Sequence, residues 1–224
     1  MPHPMKTTRP ARLCRTLLTV GLLTALTPAL AKDLQHLVVA GGCFWCVESD
    51  FESVPGVVEA VSGYTGGHTS APSYDQVSAG GTGHYEAVRI TFDADAVSRD
   101  RLLHLYFRSI DPTDAGGQFC DRGDSYRTAV FVASPAERRL AEAARDEARR
   151  TLGQPIATAI AELGPFHPAE AYHQDYYKQD DIILTRRGFK SKADAYTFYR
   201  QACGRDARVE ALWGPEAPFI HHHK

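Results

Sequence analysis

Beyond residue 5 the chain contains no methionine: its two, Met1 and Met5, stand at the very start of 224 residues. Long apolar runs are absent after residue 31, so nothing there approaches the ~20 apolar residues that a membrane-spanning helix requires. Internal repeats and low-complexity tracts are absent, so nothing points to a repeat array. Positive charge is not in excess, with 25 Lys and Arg against 27 Asp and Glu, which argues against nucleic acid as a partner. Cysteine is sparse, and only Cys43 and Cys46 lie close together. A structural zinc site usually needs a second close-spaced pair, and Cys120 and Cys203 stand alone, so no metal is expected.

The first 31 residues differ from the rest. "MPHPMKTTRPARLCR" carries Lys6, Arg9, Arg12 and Arg15 and no acid; the apolar run "TLLTVGLLTALTPALA" follows and ends in Ala29-Leu30-Ala31. A basic end, a short apolar core and a small-residue box are the order of a secretory signal peptide, with cleavage expected after Ala31. Losing those four positives moves the net charge from −2 to −6. The expected organisation is a leader at 1–31, one catalytic domain at 32–203 and an irregular tail at 204–224. The "HHH" near the end reads as surface. Export, taken as export to the bacterial periplasm, puts the remaining cysteines in an oxidising space. Cys43, Cys46, Cys120 and Cys203 then allow three disulfide pairings, which sequence alone does not separate. The missing methionines suit a protein that works among oxidants, although chance in a short chain explains them equally well.

Strands are expected at 34–39, 56–67, 84–93, 127–134 and 155–163, from alternation and β-branched content. Helices are expected at 43–54, at 98–110 with Ser98 as N-cap, and at 135–152 between Pro135 and Gly153, with two more in "PAEAYHQDYYKQ" and "SKADAYTFYRQACG". Residues 111–126 read as a long Gly-rich loop, a kind that is usually functional or disordered. The order predicts an α+β fold, a two-layer sandwich with a mixed sheet, a split βαβ (ferredoxin-like) core and extra helices.

The chemistry concentrates in "GGCFWC", residues 41–46. Gly41 and Gly42 allow a sharp strand-to-helix turn. Cys43 then falls in the first helical turn, where unpaired N–H groups and the helix dipole favour a thiolate, the nucleophilic form. Cys46, three residues on, shares its face. A thioredoxin-like dithiol fits this CxxC, but Phe44 and Trp45 are bulky for docking many disulfides and suit a pocket for an apolar substrate end.

Four blocks, "GGCFWC", "GYTGGHTSAPSYDQVSAGGTGHYEAVRITFD", "DPTDAGGQFCDRGDSYRTAVF" and "FHPAEAYHQDYY", together resemble the A-type peptide-methionine sulfoxide reductases, in the family's order and across residues 37–177. The resemblance implies reduction of the S epimer of methionine sulfoxide, free or in proteins, with Cys43 as nucleophile. It implies Phe44 and Trp45 around the substrate methyl, Glu86 as the acid near the sulfoxide oxygen, Tyr74 and Tyr126 as hydrogen-bond donors to that oxygen, and Asp121 on the substrate backbone or holding the site's shape. It implies a sulfenic acid on Cys43, condensation with a second thiol, and resetting by an external thioredoxin-like thiol, with no cofactor. The protein is expected to act as a monomer, off the membrane once the leader is cleaved. On β-strand parity Glu86 shares a face with Val88 and Ile90, as a buried acid should. Read without the resemblance, Glu86 is a surface acid, the two tyrosines ordinary core or rim residues, and Asp121 a turn former beside Gly123. His68, His84 and His173 match no metal-ligand spacing and read as structural.

The chain departs from commoner members in carrying Cys46 where many have Gly. It also lacks a cysteine in "DIILTRRGF", after the "YHQ" block. Cys46 is therefore the preferred resolving thiol, with Cys120 and Cys203 as a structural pair; the rival assignment makes Cys203 the resolver. Two other functions remain open on sequence: an exported dithiol-disulfide oxidoreductase, and a non-catalytic module binding methionine-rich partners through Phe44 and Trp45.

Overall fold

The computed structural model describes residues 33–220, with positions 1 and 3; the leader, its cleavage point and the terminal histidines lie outside the described residues. Within the unit Lys32–Lys224, the elements run β1 (Leu34–Gly41), α1 (Phe44–Glu52), β2 (Val57–Thr65), α2 (Tyr74–Ala79), β3 (Tyr85–Asp93) and α3 (Arg99–Arg108). A small hairpin follows, β4 (Gly117–Gln118) and β5 (Asp121–Arg122), then β6 (Thr128–Val132), α4 (Pro135–Leu152), β7 (Ala159–Glu162) and β8 (His167–Pro168). A second hairpin, β9 (Ile182–Thr185) and β10 (Gly188–Ser191), leads into α5 (Lys192–Ala202) and α6 (Arg205–Trp213).

Six strands form one mixed sheet in the order β7-β6-β1-β3-β2-β8. β3 lies antiparallel between β1 and β2, and only the β6–β7 pair is parallel. This is the expected split βαβ arrangement, with α1 crossing from β1 to β2 while β3 fills the gap between them. Period-two alternation sorts each strand between the two faces. Leu37, Val39, Val88, Ile90, Val130 and Val132 join one core cluster with Phe44, Val47 and Phe51 of α1 and Leu102, Leu103 and Tyr106 of α3. Their neighbours Val38, Ala40, Ala87, Ala129 and Phe131 pack on the other face against Leu163 and Phe166. Glu86 falls on the first of these faces by the same parity, on the side that carries α1.

The helix boundaries follow their caps. Ser98 accepts from the Arg101 N–H at 3.2 Å to start α3, and Ser134 does the same for Glu137 ahead of Pro135 in α4. Gly153, with φ +63°, closes α4 in the left-handed conformation that glycine adopts without cost.

Two expectations are corrected, and one element was not foreseen. Residues 204–224 are not wholly irregular, because Gly204, with φ +67°, opens α6. Val209 and Trp213, one turn apart, bury that helix, too few apolar residues to stand out as a periodic pattern. "PAEAYHQDYYKQ" forms two short 3-10 turns, Ala171–His173 and Tyr176–Lys178, instead of a helix. Between them Asp175 sits at φ +53°, its N–H donating 2.5 Å to Glu48 of α1, so a tertiary bond overrides local propensity. The hairpin β9–β10 was not expected from the sequence.

Candidate active site

Gly42 makes the turn from β1 into α1 at φ +82°, and a Cβ there would lie 2.6 Å from the side chain of Gln118. Only glycine meets both demands. Gln118 is itself fully buried and staples the loop 111–126: its Nε2 donates to the Asp111 carbonyl at 2.8 Å while its Oε1 accepts from the Asp111 N–H at 2.9 Å. The tightest turn in the site therefore rests on the loop that delivers Asp121 and Tyr126.

Cys43 is the N-cap of α1 rather than a first-turn residue, and its carbonyl accepts from the Cys46 N–H at 3.1 Å. The first N–H of the helix, that of Phe44, donates to Glu86 Oε2 at 3.0 Å. The helix mouth thus receives the Glu86 carboxyl group. Burial pushes the Cys43 thiol well above its ordinary value, and the nearby Cys46, Glu86 and Asp121 push it further the same way. The expectation that the helix end holds this sulfur ionised is corrected: desolvation outweighs the dipole, and the resting thiol is neutral. Cys46, hydrogen-bonded to Cys43 and facing the charges of Arg205 and Arg200, is shifted downward. Both cysteines are buried and free.

Glu86 is 2% exposed. Burial raises its carboxyl to about 8 against the opposing pull of the Phe44 N–H, and Asp121 adds to the rise. At neutral pH it is largely protonated and carries a proton to give.

A cavity of about 120 Å³ is lined by Cys43, Phe44, Trp45, Tyr74, Glu86, Asp121, Tyr126 and Tyr199. Every catalytic and substrate-binding residue expected from the sequence is in that lining; of the two resolving candidates, neither lines it, Cys46 being hydrogen-bonded to Cys43 and Cys203 bonded to Cys120. Ser73 caps α2 and places Tyr74, whose N–H donates to Glu170 Oε1 at 2.9 Å. Tyr74 and Tyr126 share a hydrogen bond, and burial, then Glu86, raises both phenols, so both keep their protons. Phe44 is buried between Tyr64 and His173, with ring centroids 5.9 and 5.1 Å away. Trp45 stacks on Tyr176 at 3.8 Å and donates its Nε1–H to His173 Nδ1 at 3.2 Å. Burial lowers His173 to about 4, so its ring is neutral and accepts that bond. His84 ties down a turn, its Nε2 lying 2.8 Å from the Thr69 carbonyl. A larger hollow of about 560 Å³, lined by Glu52, Tyr177, Lys178 and Arg200 among others, contains no cysteine or histidine.

Sequence reasoning missed Tyr199, which reaches the cavity from α5 and hydrogen-bonds Asp121. Burial raises the Asp121 carboxyl, and this bond opposes the rise. It also missed Arg205, which donates to the Gly41 carbonyl at 3.2 Å and the Ser109 carbonyl at 3.0 Å, pinning the end of β1. The spacing of Tyr196 and Tyr199, three apart on one helix face, was the available signal. Cys120 and Cys203 are joined as a disulfide, tying the β4–β5 hairpin to the end of α5.

Among the described residues, two groups lie close enough to share a metal ion: Cys120, Asp121 and Cys203, and Glu48, Glu52 and Asp175. In the first the sulfurs are bonded to each other. In the second the Lys178 ammonium bridges Glu52 and Asp175.

The family model described as peptide methionine sulfoxide reductase matches residues 35–205. Among curated relatives, the peptide methionine sulfoxide reductase MsrA of Bacillus licheniformis is 46% identical, covering 83% of this chain and 97% of its own. The MsrA 2 of Caulobacter vibrioides is 47% identical, covering 87% and 94%. Among solved structures, methionine sulfoxide reductase A of Corynebacterium diphtheriae is 30% identical with a TM-score of 0.61, covering 65% of this chain and 74% of that one. Mxr1 of Saccharomyces cerevisiae in reduced form is 28% identical with a TM-score of 0.63, covering 69% and 90%. The fold and site define a thiol-dependent oxidoreductase with a buried acid. The chain belongs to the peptide methionine sulfoxide reductase family.

Proposed function

We propose that this protein reduces the S epimer of methionine sulfoxide, free or in proteins, as a peptide-methionine (S)-S-oxide reductase. One observation carries the reading: a carboxyl group raised to about 8 shares a helix mouth with a buried free cysteine. A sulfoxide sulfur resists attack until its oxygen is protonated or strongly hydrogen-bonded, and preorganised donors lower that barrier. Glu86, Tyr74 and Tyr126 line the cavity with protons to offer.

The Cys43 sulfur attacks the sulfoxide sulfur. The Glu86 proton passes to the oxygen, and the thiol proton of Cys43 replaces it on Glu86. The hydroxyl group then passes from the substrate sulfur to the Cys43 sulfur: the substrate's S–O bond and the transient sulfur–sulfur bond break, and an S–O bond forms on Cys43. Methionine leaves with Cys43 as the sulfenic acid, two electrons having moved from Cys43 to the substrate. Phe44 and Trp45 enclose the methyl end, and Asp121, held by Tyr199, meets the substrate backbone. Cys46 then condenses with the sulfenic acid, releasing water and forming a Cys43–Cys46 disulfide. Its hydrogen bond to Cys43, and the engagement of Cys203 with Cys120, support Cys46 in this role. A thioredoxin-like dithiol protein returns the pair to thiols, and the protein works as a monomer in the bacterial periplasm after its leader is removed.

Incubation with dithiothreitol and racemic methionine sulfoxide tests the reading. Methionine appears while one sulfur epimer is consumed. Reduction of insulin disulfides without methionine formation would overturn it in favour of a general dithiol oxidoreductase.

A further inference from the structure

Resting on the reading above, we propose that the β9–β10 hairpin and α5 form a docking groove for the polypeptide flanking a methionine sulfoxide, selecting segments with acidic side chains near the oxidised residue. The catalytic cavity, at about 120 Å³, takes little more than one side chain. The rest of a protein substrate must lie against a neighbouring surface. A groove of about 370 Å³ opens there and shares the walls Trp45 and Tyr199 with the cavity. Its floor includes Tyr176, Ile183 and Phe198.

Its rim carries Arg186, Arg187 and Lys190, and no carboxylate lines it. None of these three cations forms an ion pair among the described residues, although acids outnumber bases in the chain. These three cluster at one edge of an apolar groove that no carboxylate neutralises. The hairpin tip presents Arg186 and Arg187, and β10 carries Lys190. Thr185 Oγ1 donates to the Gly188 carbonyl at 2.7 Å and accepts from the Arg187 N–H at 3.1 Å, with Gly188 at φ +92°. The Arg187 guanidinium lies 4.4 Å from the ring of Phe198, which turns one cation onto the groove floor. An extended segment leaving the cavity past Trp45 meets apolar floor first and positive charge at the edge.

The test uses the wild-type protein with dithiothreitol as reductant, so that the peptide is the only macromolecular partner. Peptides carry one methionine sulfoxide flanked by Ala and Asp, or by Ala and Lys. At low salt the acidic peptide is expected to show a kcat/KM about tenfold higher, the scale of a few exposed charge pairs acting together. At ~1 M salt, where the screening length is ~3 Å, the two should converge. R186Q/R187Q/K190Q should erase the preference. Equal rates for both peptides at low salt would overturn the docking proposal while leaving the reductase intact. A charge effect seen only with a dithiol protein as reductant would overturn it too, by giving the groove to the reductant. Failure to reduce any sulfoxide, free methionine sulfoxide included, would instead strike the reading of the active site itself.

Discussion

Two pairs of cysteines share this chain and behave oppositely. Cys43 and Cys46 lie three residues apart at the mouth of α1, buried, free and hydrogen-bonded to each other. Cys120 and Cys203 are separated by 83 residues and joined, one beside the β4–β5 hairpin and the other at the end of α5. The first pair faces a protonated acid and an aromatic cup; the second closes a long loop, with the Cys120 sulfur 3.9 Å from Asp121 Oδ1 and 4.0 Å from the Tyr199 hydroxyl. The lesson is that spacing along the chain does not assign a cysteine's work. The near pair is free, and the distant pair is bonded beside Asp121 and Tyr199.

The comparison breaks first at Cys43. Cys43→Ser should lower turnover of methionine sulfoxide by about 10⁴-fold or more, since it removes the nucleophile; residual turnover near wild type would remove this sulfur from its role. Glu86→Gln comes next. The amide still donates a hydrogen bond but no proton, so kcat/KM should fall by about 10²- to 10³-fold, read with dithiothreitol as reductant. Full activity in that variant would dismiss the acid.

The distant pair sharpens the contrast. C120S/C203S should keep the turnover number of the folded protein while losing about 4 kcal/mol of unfolding free energy in denaturant titration, as expected for opening so long a loop. Cys46→Ser should do the reverse. It should keep stability, yet with a thioredoxin-like donor stop after one methionine per chain in a rapid-quench assay. If instead the C120S/C203S protein stops after one turnover, the two pairs exchange roles. The smallest effect concerns pH. Glu86 must be protonated to donate, and burial holds it at about 8. Wild-type kcat/KM should therefore decline as pH rises through about 8, and that limb should vanish in Glu86→Gln. A rate still climbing at pH 9 would mean that deprotonation of Cys43, and not protonation of Glu86, limits the reaction.

Much of the architecture was legible in local pattern. The alternation around Glu86, the serine caps at Ser98 and Ser134, and the Pro135-to-Gly153 frame of α4 involve neighbours within a few residues, and each appears where it was expected. Segments whose apolar content is thin were not legible. The β9–β10 hairpin exposes Ile182, Leu184 and Phe189, and α6 buries only two large apolar side chains, so neither shows a clear period. Tyr199 shares a helix face with Tyr196, but that spacing marks only an aromatic stripe; that α5 packs beside Trp45 and brings Tyr199 into the cavity is decided by tertiary contacts.

By itself the sequence determined the residue types of the site, the glycine turn that aims Cys43, and the face of β3 on which Glu86 lies. Those follow from backbone sterics and side-chain parity, which act over a handful of residues. Tertiary structure alone decided which cysteines are bonded, that Cys43 rests as a thiol, that Glu86 keeps its proton near neutrality, and that α5 closes the cavity. Ionisation of a buried group depends on the water removed by everything packed around it, and that sum runs over side chains from β1, β3, α1, α5 and the 111–126 loop at once.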